Sequence, residues 1–110
     1  MTNKLAGLLG IARRSGRLTM GFDAAAALIK AGKAKLVLAA ADLSEKTQKE
    51  LRYAVQGKET PVVLVPMTKD EMARALGLAK PVGVLATDDG GFAAAMQKEC
   101  RHDLEEDDAI

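Results

Sequence analysis

Six apolar residues in a row, Leu36-Val37-Leu38-Ala39-Ala40-Ala41, separate a segment that ends at Gly32 from one that begins near Ser44. An unbroken apolar run of this length reads as a strand covered on both faces. Val62 to Val65 and Val82 to Ala86 have the same character, the former after Thr60-Pro61, where proline forces extended backbone. The segments between these runs carry helical signals. Leu5, Leu8, Leu9 and Ala12 follow i, i+3, i+4, i+7 spacing over residues 3–14, with Thr2 as N-cap and Gly16 as the stop. Asp42 and Ser44 are alternative N-caps for a helix that buries Leu51, Ala54 and Val55 and ends at Gly57. Thr68 with Glu71 forms a capping box, Met67 and Met72 stand at staple positions, and Gly77 closes that helix. Thr87 or Asp88 caps a last helix to about Lys98. A short strand over Arg17 to Met20 breaks at Gly21 into a helix over 22–31, whose Ala24 to Ala27 read first as packing. The order is α-β-α-β-α-β-α-β-α, which argues a mostly parallel sheet between helical layers.

The chain has 110 residues, enough for one domain with a real core. Its 48% hydrophobic content and three aromatics suit an alanine- and valine-rich α/β protein. One cysteine excludes an internal disulfide and fits a reducing cytosol. The apolar stretch at 5–12 is too short to span a membrane, and arginines follow it where a signal peptide would have small residues. The expected place is the cytoplasm, with no membrane partner. Net charge is +1, but it divides unevenly: 15 basic against 9 acidic residues over 1–98, and Arg101 against six acidic residues over 99–110. Residues 1–98 read as the domain and 99–110 as an acidic tail too poor in apolar surface to order. A basic body with an acidic tail often accompanies nucleic-acid binding.

Catalytic chemistry finds little support. His102 and Cys100 stand beside the acidic tail, and Cys-x-His alone is a weak metal signal. Gly7-Leu8-Leu9-Gly10 is no dinucleotide fingerprint, and no P-loop is present. Asp88 and Asp89 read as helix caps.

The richest stretch is 13–35, where Arg13, Arg14, Arg17, Lys30, Lys33 and Lys35 face a single acidic residue, Asp23. Gly21 lets a partner approach the backbone, and the helix start after it offers unpaired N–H groups to an anion. The plainer explanation is that Arg13, Arg14 and Lys30 complement helix C-termini. With Phe22 the one aromatic nearby, base stacking is disfavoured and a reader of folded RNA fits better.

The order and spacing of several segments resemble a known family. They are Leu9-Gly10-Ile11-Ala12-Arg13-Arg14-Ser15-Gly16, Gly21 with Gly32, Ala34 to Asp42, Thr60-Pro61-Val62-Val63, Leu76-Gly77, and Thr87-Asp88-Asp89-Gly90-Gly91-Phe92-Ala93. Over about residues 4–97 the chain resembles the kink-turn-binding ribosomal proteins of the L7Ae superfamily, and more closely their small bacterial YlxQ-like members. The resemblance implies a three-layer α/β/α sandwich around a four-stranded mixed sheet. It implies a non-enzymatic, ribosomal or ribosome-associated protein that binds structured RNA, without a cofactor.

In RNA-binding members, a motif of Gly, any residue, Asn, Glu, two more and Lys opens the central helix and grips sheared G·A pairs. An apolar loop before the last strand covers a flipped base. Carried over, the glycine is Gly21, the asparagine Asp23, the glutamate Ala24 and the lysine Ala27, with the loop at Ala79 to Val82. The implied surface is Gly21, Phe22 and Asp23, the basic set Arg13, Arg14, Arg17, Lys30 and Lys33, and Lys80, Pro81 and Val82. Alanine at 24 and 27 cannot make the motif's polar interactions, each worth about 1–3 kcal/mol by analogy with base readout in DNA. Binding then becomes weak and mostly electrostatic. Ribosomal RNA is the RNA implied, and a ribosomal protein or translation factor the protein partner. The alternative is a protein-interaction adaptor on the same scaffold.

Overall fold

The computed structural model describes the backbone of residues 2–109 and the side chains of residues 4–100. Nine elements alternate: α1 (Thr2–Arg14), β1 (Leu18–Met20), α2 (Phe22–Lys30), β2 (Leu36–Ala39), α3 (Glu45–Ala54), β3 (Val62–Leu64), α4 (Lys69–Leu76), β4 (Val84–Thr87) and α5 (Gly90–Ala109). The strands form one sheet in the order β1-β4-β2-β3.

That sheet is mixed and not mostly parallel. Only β2 and β3 run parallel, while β4 lies antiparallel to both of its neighbours, with Leu18 and Leu36 both opposite Thr87. The segment after α4 is the reason. Gly77, in the left-handed region at φ 72°, turns the chain, and residues 78–83 run back along α4 until the Val82 amide reaches the Lys69 carbonyl at 3.3 Å. The chain therefore enters β4 from the end at which β3 left. Alternation of strands and helices does not determine direction when a connection doubles back.

Strand side chains alternate between two cores. Leu36, Leu38 and Leu85 face α1, α4 and α5 and pack with Leu5, Leu9, Met72 and Met96. Val37, Ala39, Val84 and Ala86 face α2 and α3 and pack with Ala25, Ile29 and Leu51. Cys100 is buried in the first core, so the packed body runs past Lys98. The side chains of residues 101–110, most of the acidic tail, lie outside the described residues.

The caps sort out as follows. Thr68 and Glu71 form the expected capping box, at 3.1 and 2.8 Å, and Met67 and Met72 are both buried. Ser44 caps α3 by accepting from the Thr47 amide at 3.2 Å, while Asp42 accepts from the Lys69 amide at 2.9 Å and ties that turn to α4. Neither Thr87 nor Asp88 caps α5. Asp89 does, through the Phe92 amide at 2.9 Å, because Thr87 is buried in β4 and donates its hydroxyl to the Arg17 carbonyl. β3 is not buried on both faces. It is an edge strand, and α3 leaves Val62 and Leu64 exposed, at 41% and 60%.

Candidate nucleic-acid interface

One end of the sheet gathers the start of α2 and the loop before β4. After Met20 the chain reverses at Gly21, whose φ of 97° belongs to the region that favours glycine. The Gly21 amide donates to the Val84 carbonyl at 2.8 Å, and its own carbonyl accepts from Ala25 at 3.0 Å, which starts the helix. No side chain caps α2. The first-turn amides of Phe22, Asp23 and Ala24 therefore have no intrahelical partner. Phe22 packs partly into the α2–α3 core, while Asp23 and Ala24 are exposed.

The alanine row is only partly a packing feature. Ala25 is fully buried against the sheet and Ala26 half-buried, but Ala24 and Ala27 face solvent. At 3.6 residues per turn, 23, 24 and 27 share the outward side of the helix. Asp23 places a carboxylate at the positive end of the dipole, which suits the helix and repels a phosphate brought there. The start of α2 thus accepts hydrogen-bonding edges better than backbone phosphates.

The loop before β4 is held beside this helix start. Gly83 lies where a Cβ would meet a Leu43 methyl at 2.6 Å and the Lys69 side chain at 3.2 Å, and its carbonyl accepts from Ala40 at 2.9 Å. Any larger residue there would force the Leu43 and Lys69 side chains to move, and a glycine inside a strand-like run is the sequence signal for such a close approach. The same tethering turns Val82 into the core, at 8% exposure, and leaves Lys80 and Pro81 exposed. Val82 therefore packs inward and offers no apolar cover to a ligand.

The basic set does not flank Gly21. Arg13 donates from its guanidinium to the Leu76 carbonyl, satisfying the C-terminal end of α4. Arg17 pairs with Asp88 at 3.6 Å. Arg14, Lys30 and Lys33 are exposed where α1 and α2 end. All of these lie at the far end of the sheet from Gly21, separated by β1, about 10 Å long for its residues, and by α2, about 13 Å. Contiguity in sequence hid this, because a strand followed by a helix returns the chain to the end where it began. Among the described residues no cluster of His, Cys, Asp and Glu is placed to hold a metal ion. None of their helices is long and apolar enough to cross a membrane.

Comparison with known proteins agrees with this architecture. An RNA-binding protein YlxQ from Enterococcus faecium is 34% identical over 90 residues, spanning 82% of this chain and 84% of that one. The large ribosomal subunit protein eL30 of Candida albicans is 31% identical over 83 residues, 76% of this chain and 78% of that one. A protein of unknown function from Bacillus halodurans superposes with a TM-score of 0.79 at 26% identity, covering 86% of this chain and 94% of the other. A 15.5 kD RNA-binding protein of Giardia lamblia shares the fold, with a TM-score of 0.74 at 22% identity over 92% of this chain and 88% of that one. The model of one family matches residues 3–97, which take in all four strands, α2 to α4, nearly all of α1 and the start of α5, and the chain therefore belongs to the Ribosomal protein L7Ae/L30e/S12e/Gadd45 family.

Proposed function

We propose that this protein is a non-enzymatic, cytoplasmic RNA-binding protein of ribosomal type that meets structured, kink-turn-like RNA at the start of α2. The observation that carries this reading is the uncapped, solvent-facing first turn at Phe22–Ala24, joined through the Gly21–Val84 hydrogen bond to the loop bearing Lys80 and Pro81. Relatives named for RNA binding and for the large ribosomal subunit support it. Ribosomal RNA is the partner of choice. Specificity is weak, because Ala24 and Ala27 offer methyl groups on the side of the helix where a reader of base edges needs polar atoms.

Titration of a labelled kink-turn RNA and a matched duplex at several salt concentrations tests this. Both should bind at low salt, log-linearly weaker as salt rises, with a kink-turn preference below about tenfold, 1.4 kcal/mol. Absence of binding to either RNA at low salt overturns the reading.

One observation favours a second reading, an adaptor for a ribosomal or translation-factor protein. Val62 and Leu64 stand exposed on the β3 edge beside a groove lined by Leu43, Gln48, Leu51 and Arg52. If that reading is the operative one, Leu64→Asp lowers co-sedimentation with ribosomal subunits while RNA titrations stay unchanged.

A further inference from the structure

We propose that the end of the sheet opposite the α2 start is a second, separate surface that takes the phosphate backbone of a double-helical nucleic acid. Its choice of RNA rests on the reading above, but the surface itself does not.

The residues converge there through strand register. Thr87 of β4 stands between Leu18 and Leu36, so the residues just before them, Arg17 and Lys35, flank the end of the same central strand. Two strand spacings put their backbones about 10 Å apart. The Lys35 amide donates to the Thr87 carbonyl at 2.8 Å, and the Thr87 hydroxyl donates to the Arg17 carbonyl at 2.7 Å, so both positions are held by the sheet. α2 ends at this rim with Lys30, and the turn through Gly32 adds Lys33. Arg14 joins from the end of α1. All five side chains are exposed.

Charge on this rim is mostly unbalanced. Asp88 pairs with Arg17 at 3.6 Å, a contact with side chains 53% and 36% exposed, and such a pair contributes little. Arg14, Lys30, Lys33 and Lys35 have no carboxylate within 4 Å among the described residues. The other carboxylates nearby are Asp89, engaged in capping α5, and the exposed Glu59, which makes no ion pair with the rim. Helix dipoles account for Arg14 and Lys30 at the last turns. They do not account for Lys33 and Lys35, which lie beyond the helix. Tyr53, at the nearby end of α3, is the one strongly exposed aromatic among the described residues, too few rings to bind single strands by stacking. A row of cations on rigid backbone fits the closely spaced charges of a helix instead.

The test is fluorescence anisotropy of a kink-free RNA duplex of about 20 base pairs between roughly 50 and 200 mM salt. Lys30→Gln, Lys33→Gln and Lys35→Gln together should lower low-salt affinity about tenfold and reduce the log–log salt slope by about two to three. Lys46→Gln, at an exposed lysine near the start of α3 that belongs to neither surface, should leave both nearly unchanged. With the wild-type protein, duplex titration should shift the amide resonances of Arg17, Lys30, Lys33 and Lys35 and spare those of Phe22 to Ala24. Weaker binding to a DNA duplex of equal length assigns the surface to RNA, and equal binding assigns it to backbone charge alone; both support it. An unchanged slope in the folded triple variant, or shifts confined to the α2 start, overturns it. Kink-turn titration that shifts the rim amides and leaves Phe22 to Ala24 unmoved, beside a changed duplex slope, would sink the α2 reading only.

Discussion

The amide of Gly21 donates to the carbonyl of Val84 at 2.8 Å, joining the first turn of α2 to the strand that follows the Lys80–Val82 loop. Gly21 makes this bond at φ 97°, with no atom beyond its two chain neighbours within 4 Å of where a Cβ would sit. Any cost of a side chain there is therefore backbone strain. Gly21→Ala should destabilise the fold by about 1–3 kcal/mol, with each kcal/mol read as a fall of about 4–8 °C in Tm.

Arg13 and Arg14 are neighbours with different tasks. Arg13→Ala removes a charged donor from the Leu76 carbonyl and should cost about 1–3 kcal/mol in urea unfolding, with the RNA salt slope unmoved. Arg14→Ala should leave stability within about 0.5 kcal/mol and lower the slope by about one.

Asp23→Asn, Ala24→Glu and Ala27→Lys together should restore a polar reader at the start of α2. All three positions are exposed, so the variant should keep the wild-type circular dichroism spectrum and Tm within a few degrees. It should prefer a kink-turn over a matched duplex by at least about tenfold, 1.4 kcal/mol. A folded variant without that preference would show that the backbone geometry at Gly21, and not only its side chains, departs from a kink-turn site.

Removing residues 101–110 takes away one arginine and five carboxylates. The cut belongs after Cys100, not after Lys98, because Cys100 is buried in the core formed by α1, α4 and α5. Low-salt RNA binding should tighten as repulsion falls, with Tm nearly unchanged. A large loss of Tm would assign the tail a structural task.

Gly83→Ala should destabilise by about 1–3 kcal/mol, since the new methyl meets Leu43 at 2.6 Å on a well-packed strand end. Chemical denaturation measures it, and loosening of the Lys80–Val82 loop should appear as faster amide exchange at Val82.

Local physics was legible in the chain. The capping box at Thr68 and Glu71, the glycine stops at Gly16, Gly32 and Gly77, and the apolar run at Leu36 each act over a few residues, and each is present in the fold. The order of elements follows from them, and the family resemblance carried the mixed sheet and the glycine of the α2 start. Tertiary structure decided what depends on distant contacts. The return of residues 78–83 along α4 reversed β4, the uncovered β3 edge exposed Val62 and Leu64, and Ala24 and Ala27 turned outward while Ala25 packed. It also divided one basic stretch between two tasks and moved it away from Gly21. Sequence specifies periodicity and caps because those energies are local. Which end of a sheet a charge reaches depends on chain direction through the whole packed layer, and no window of residues contains that.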